Sequence, residues 1–188
     1  MRARSQRGRD QTEPRAPRNQ DRAIELLVRL EQAGPAPQRA AEELDRQIAG
    51  LRETAIWPEL ELRIGALCDR WAETELRGDG ARAWLTLVGA LGLGEHEATA
   101  AVLLSDPAIE VGIRQQAARV LGVLRGPLAG SALAGVLRAP GDPRVRAAAA
   151  EALAQLRDRT WRPTLEALLE EDLPASVWNA VSATLERL

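Results

Sequence analysis

Three stretches of the chain superpose on one another at a spacing of 32 residues. Ile113-Arg114, Val145-Arg146 and Val177-Trp178 coincide, as do Ala117, Ala149 and Val181. Leu121, Leu153 and Leu185 form a third set, and Leu124, Leu156 and Leu188 a fourth. One segment earlier, Ala101, Leu133 and Leu165 align, and so do Leu104, Val136 and Leu168. A unit this short cannot bury its own apolar face, so it must stack on neighbours built the same way. The repeat therefore predicts an all-α solenoid of helical hairpins, an architecture that offers its walls to partners.

Residues 1–20 are polar and contain Arg2, Arg4, Arg7, Arg9, Arg15 and Arg18 against Asp10 and Glu13. That net of +4 leaves −6 for the remainder of a chain whose total is −2. With so little apolar surface to offset its ordering entropy, this basic arm is expected to be disordered. Residues 21–56 predict an N-terminal helical hairpin. Its first helix, about Asp21 to Gln32, has Ile24, Leu27, Val28 and Leu30 to bury, and Gly34-Pro35-Ala36-Pro37 ends it. Its second helix, about Gln38 to Thr54, carries Ala41, Leu44, Ile48 and Leu51 at spacings of three and four residues, a narrow apolar seam.

Residues 57–94 predict a degenerate helix pair. Pro58 fits the first turn of one helix, with Leu60, Ile64, Leu67, Cys68 and Trp71 on one side. Trp84, Leu85, Val88 and Leu91 mark the apolar face of the other. From residue 95 to 188 three regular units follow, each a short helix and then a longer one. The longer helices are expected at Pro107–Leu124, Pro143–Leu156 and Ala175–Leu188. Asp106-Pro107 and Asp142-Pro143 read as starts, because the Asp side chain accepts from first-turn amides and Pro lacks an amide that would go unpaired. No segment has the pattern of a strand.

Composition narrows the functional classes. Every one of the 25 basic residues is Arg, and all five aromatic residues are Trp. This usage follows GC-rich coding, as in a bacterial genome, rather than selection for guanidinium chemistry. A single cysteine, Cys68, excludes an intrachain disulfide and a cysteine-based metal cluster. One histidine, His96, argues against a zinc site or a His-dependent triad. No apolar run is long enough to span a bilayer, and no apolar stretch follows the basic N-terminus as a secretory signal requires. A cytoplasmic location is expected, with no membrane insertion.

The units resemble HEAT repeats in the short bacterial form also found in phycobilin lyases. The resemblance rests on Asp142-Pro143-Arg144-Val145-Arg146 followed by Ala149, Ala152, Leu153 and Leu156. The preceding copy supplies Ile113-Arg114, Ala117, Val120, Leu121 and Leu124, and Trp161-Arg162-Pro163-Thr164-Leu165 resembles the opening of a first helix. The family implies an inner wall lined by the second helix of each unit. It also implies an Asp–Arg ladder between neighbours, which would stop at Trp178, where the other copies have Arg. Leu185 and Leu188 at the end of the last unit suggest an apolar C-terminal face without a polar cap.

Candidate residues for chemistry are few. His96, between Glu95 and Glu97 at a helix start, reads as an exposed residue beside two acids that favour the helix dipole; a general base is the sharper reading. Cys68 falls on an apolar face, where a thiol is inert rather than nucleophilic. Projection of the repeat places Gln115, Arg119, Arg144, Glu151, Gln155 and Asn179 on the inner wall, among Ala147, Ala148, Ala150 and Ala154. Trp178 is the aromatic best placed to anchor a partner.

These residues predict a non-catalytic, cofactor-free scaffold or adaptor that binds a protein through its concave wall and C-terminal end. A second copy of the chain is one candidate occupant. Two other readings stand beside it: a nucleic-acid-associated protein using the Arg-rich arm, and an enzyme resembling HEAT-like lyases or glycosylases.

Overall fold

The computed structural model describes residues 15–33 and 38–188. Among the described residues there are ten α-helices and no strand: α1 (Arg15–Ala33), α2 (Gln38–Leu51), α3 (Trp57–Ala72), α4 (Gly78–Leu91), α5 (Glu97–Ser105), α6 (Val111–Leu124), α7 (Ala129–Arg138), α8 (Pro143–Leu156), α9 (Arg162–Leu169) and α10 (Ala175–Arg187). Short 3-10 turns, Gly94–His96 and Arg159–Trp161, lead into α5 and α9. Each odd-numbered helix pairs with the even-numbered helix that follows. The even-numbered helices then stack in order, α2 on α4, α4 on α6, α6 on α8 and α8 on α10. This is the solenoid that the 32-residue period predicts, and the N-terminal hairpin joins it through the α2–α4 contact.

One continuous apolar core runs through all five hairpins, from Ala23 to Val181. Ile113, Val145 and Val177 are buried, and so are Ala117, Ala149 and Val181, so the aligned positions are core positions in each unit. The period exists because every hairpin must present the same stripe to the same neighbour.

Several boundaries differ from the sequence reading. Helix α1 begins at Arg15, six residues before the expected start at Asp21. Arg, Ala and Gln extend a helix readily, and Pro17 lies within the first turn, where its missing amide costs nothing. Arg2, Arg4, Arg7 and Arg9 lie outside the described residues, as do the side chains of Arg15 and Arg18 and the Gly34–Pro37 break. On α1, Ala23, Leu26, Leu27 and Leu30 are buried, whereas Ile24, expected inside, is 38 % exposed.

The two Asp-Pro starts behave differently. Asp142 caps α8, accepting from the Arg144 amide at 2.9 Å, with Pro143 in the first turn. Asp106 instead accepts from the Ala108 amide at 2.8 Å and closes a separate turn through the Ile109 amide, so α6 starts at Val111 rather than Pro107. Asp106 thus ends α5 and shapes the turn after it, and Glu110 takes the place at the start of α6 that the sequence assigned to Asp106.

Hydrogen bonds from the Arg144 side chain, and next from its amide, hold the Asp142 carboxyl down at about 2. A folded value below the ordinary carboxylate range means that the cap contributes fully above that range and is lost as pH falls towards the folded value. Asp142→Ala should therefore lower the thermal midpoint at neutral pH. The gap to the parent protein should narrow between about pH 5 and pH 2. A gap independent of pH in circular-dichroism melts would contradict this.

Among the described residues no Asp–Arg ion pair joins one unit to the next. Arg114 and Arg146 donate through Nε to the Leu104 and Leu137 carbonyls, both at 2.9 Å, tying the end of each short helix to the start of the longer helix in the same unit. Asp142 pairs with Arg144 at 2.9 Å. Polar links between units take other forms. Arg63 forks onto Glu31 at 3.0 and 2.7 Å. Gln116 donates to the Arg82 carbonyl and to Thr86 Oγ1 at 3.2 and 3.0 Å, and Thr184 Oγ1 donates to the Ala150 carbonyl at 2.8 Å.

Candidate interface along the second helices

An even-numbered helix in the middle of the stack has its partner helix behind it and an even-numbered neighbour on each side, which leaves one narrow strip open. On α6, α8 and α10 the 32-residue register sets these strips in rows. Gln115, Ala147 and Asn179 make one row, Arg119, Glu151 and Ala183 the next, and Val123, Gln155 and Arg187 the third. Gln115 and Ala147 are half-buried; the other seven are exposed. The predicted wall residues Gln115, Arg119, Arg144, Glu151, Gln155 and Asn179 thus lie on adjacent helices. Two of them touch across the α6–α8 seam, where Gln115 Nε2 donates to the Arg144 carbonyl at 3.4 Å.

Two parts of the predicted wall are corrected. Ala148, Ala150 and Ala154 are buried between even-numbered helices, and only Ala147 reaches the open strip. Small side chains serve close packing here: a Cβ on Gly122 of α6 would sit 3.2 Å from Ala152 Cα of α8. Leu185 and Leu188, expected to leave an apolar end, are half-buried against the core. The open side of α10 instead carries Asn179, Ala183 and Glu186.

Trp178 is 47 % exposed. It shares the register of Arg114 and Arg146, whose guanidinium groups turn back to the ends of the short helices, so it stands at the hairpin-turn edge rather than within the rows. Of the other tryptophans, Trp71 and Trp84 are core residues. Trp161 is half-buried and closes on α7, where a Cβ on Gly130 would meet its ring at 2.6 Å.

His96 is buried, which corrects the expectation of an exposed residue. The 3-10 turn carries its ring beneath α4, edge-on to Trp84 with centroids 5.3 Å apart, and its Nε2 lies 3.3 Å from Asp69 Oδ1. Glu97 is buried too and does not serve its own helix. Its Oε1 accepts from the Leu128 and Ala129 amides, at 3.0 and 2.6 Å, at the start of α7 in the next unit. Nothing local marks this role; the clue is its offset of one repeat length from Ala129.

Cys68 is buried, and desolvation first, then the negative charges of Asp69 and Glu95, push its thiol up to about 12. The thiolate needed for nucleophilic attack is therefore scarce at neutral pH. Ellman's reagent should leave the folded protein unmodified and titrate one thiol after denaturation; rapid reaction of the folded chain would contradict this burial.

Two of the cavities lie along opposite edges of the regular repeats. On the hairpin-turn edge, a groove of about 460 Å³ between α5–α6 and α7–α8 is lined by Arg114, Val136, Pro140, Asp142, Val145 and Arg146, among others. Its charged groups are already engaged in the cap and carbonyl ties described above. On the opposite edge, the C-terminal ends of α6, α8 and α10 meet around a cavity of about 560 Å³ lined by Arg125, Gln155, Arg157, Arg159 and Arg187, with Ala154 and Leu188. The sequence reading missed this cluster. Its signal was the register: Arg125 and Arg157 follow Leu124 and Leu156, where the unit before them has Gly92 after Leu91. Among the described residues no group of three or more His, Cys, Asp or Glu is placed to hold a metal ion. None of the described helices is long and apolar enough to cross a membrane.

Stacked two-helix units whose second helices form one layer define an α-solenoid. The match with known families agrees: residues 97–186 fit the model of HEAT repeats, so that stretch of the chain is built of HEAT repeats. No curated protein matches it. HEAT repeats generally mediate protein-interaction scaffolding.

Proposed function

We propose that the chain is a non-catalytic, cytoplasmic scaffold that holds a protein partner against the open strips of α6, α8 and α10. The observation that carries this reading is the three-row surface itself. Seven exposed side chains of mixed chemistry stand on three adjacent helices whose other sides are packed into the array. Such a surface is preformed, so a partner loses little free energy in ordering it. Arg119 and Glu151 offer opposite charges at neighbouring positions, while Val123 and Ala183 allow close apolar approach. Trp178 at the turn edge and the Arg-rich arm would add contacts, the arm through electrostatic steering.

The carboxylates displaced downward, Glu25, Asp142 and Asp158, are held by arginines or by helix-start amides on the surface.

Photo-crosslinking tests the surface directly. A photoreactive residue at Arg119, Glu151 or Gln155 should capture the same protein from the native host, whereas one at Leu62 or Val102, exposed on α3 and α5, should not. Capture from α3 and α5 with none from the rows would refute the proposal.

A further inference from the structure

We propose that the cavity where the C-terminal ends of α6, α8 and α10 meet binds a short acidic segment of a protein partner. Its clustered Asp and Glu carboxylates would seat on Arg125, Arg157, Arg159 and Arg187. The inference rests on the scaffold reading for the kind of partner, and on independent observations for the site.

Two unfavourable features converge on this one place. Arg125 and Arg157 close α6 and α8 in the left-handed backbone conformation, with φ of 53° and 55°. That conformation is strained for a residue with a side chain, and glycine adopts it freely. At the corresponding end of α4 the chain uses Gly92, with φ of 69°. Glycine is abundant in this sequence, so arginine at the next two helix ends adds strain without a conformational need for it.

The second feature is charge. Arg159 and Arg187 join the same cavity, and no Asp or Glu side chain lies within ion-pair distance of any of the four guanidiniums among the described residues. Arg159 Nε donates to the Leu188 main-chain oxygen at 2.7 Å, which fixes the position of its guanidinium. Four like charges around one cavity repel, and local strain of this kind is characteristic of binding sites. A cluster of carboxylates relieves the repulsion, because the guanidinium fork pairs with a carboxylate through two parallel hydrogen bonds.

The distribution of charge favours a peptide over a nucleic acid. A polynucleotide needs cations strung along its path, whereas these four are gathered at one point. The cavity also opens beside Gln155, in the row that contains exposed Val123, so apolar contact is available next to the charges.

The test uses the full chain and fluorescence anisotropy. The probes are a short labelled peptide rich in Asp and Glu, its Asn/Gln counterpart, and a single-stranded oligonucleotide. The acidic peptide should bind, weaken as salt is raised, and outcompete the amide peptide by about tenfold or more. The paired variant Arg125→Gly/Arg157→Gly separates binding from folding. Glycine relieves the backbone, so the thermal midpoint should hold or rise, while peptide affinity should fall about tenfold or more. Equal affinity for both peptides, or acidic-peptide binding unchanged in the variant, would overturn the proposal. So would tighter, arginine-dependent binding of the oligonucleotide, or displacement of the peptide by inorganic phosphate at concentrations where chloride has no effect. Failure of peptide binding alongside intact crosslinks from Arg119 and Glu151 would strike this inference alone; loss of those crosslinks would strike the scaffold reading.

Discussion

Trp84→Ala is expected to cost about 3–5 kcal/mol of stability, the range for removing a large aromatic side chain from a packed core. Trp84 is fully buried in α4 and serves three elements at once. Its Nε1 donates to the Cys68 carbonyl of α3 at 3.0 Å, its ring meets His96 ahead of α5 edge-on, and its body fills the core of the second hairpin. Truncation would leave a cavity where the N-terminal hairpins join the regular repeats. Trp84→Phe keeps most of the volume and loses only the indole hydrogen bond, so a cost of about 1–2 kcal/mol is expected. Urea unfolding followed by circular dichroism would measure both. Because neighbouring hairpins stabilise one another pairwise, the alanine variant should also split the transition, with residues ahead of α5 unfolding first. A single transition with an unchanged midpoint would show that the joint lies elsewhere.

How much of this was legible in the sequence depended on whether a partner was near or far along the chain. The Leu and Val stripes announced the hairpins, because an apolar face at helical spacing has one way to be buried, and α8 falls where Pro143 and Leu156 placed it. Features that depend on the next unit were harder to read. Ala148, Ala150 and Ala154 look like the open side of an isolated helix, yet α6 and α10 flank α8 and bury them. His96 reads as exposed between two acids until the 3-10 turn places it under Trp84. Arg125 and Arg157 look like ordinary basic residues near helix C-termini; their left-handed backbone and their meeting with Arg159 and Arg187 emerge only when three helix ends converge. Of the wall residues that the register projects outward, Arg119, Glu151, Gln155 and Asn179 are exposed, while Gln115 is half-buried against α8.

The strongest test of unit-to-unit coupling is expected at Glu97. Glu97→Ala would leave the buried Ala129 amide with only its longer bond to the Gly126 carbonyl, at 3.3 Å, and remove a charge-assisted hydrogen bond, a loss of about 1.5–3 kcal/mol. Glu97→Gln keeps an oxygen in place, so about 1 kcal/mol is expected. Gly126 reports on the same contact from the other side, because a Cβ there would come within 2.6 Å of the Glu97 Oε1 that caps α7. Gly126→Ala should therefore destabilise the parent protein, which must displace a buried carboxylate. In the Glu97→Ala background the same substitution meets open space and should cost little. The expected result is a double-mutant cycle with a coupling energy of about 1–3 kcal/mol, against near-zero coupling for independent sites. Hydrogen exchange would locate the effect: the Ala129 amide should lose protection in Glu97→Ala while amides in α2 keep theirs. Additive costs, or a protected Ala129 amide in the variant, would mean that α7 is held to its neighbour by apolar packing alone. If the coupling appears, each unit does more than stack on the next: α5 supplies the acceptor that starts α7, so the order of hairpins in the array is specified by a polar contact as well as by the shared stripe of Leu and Val.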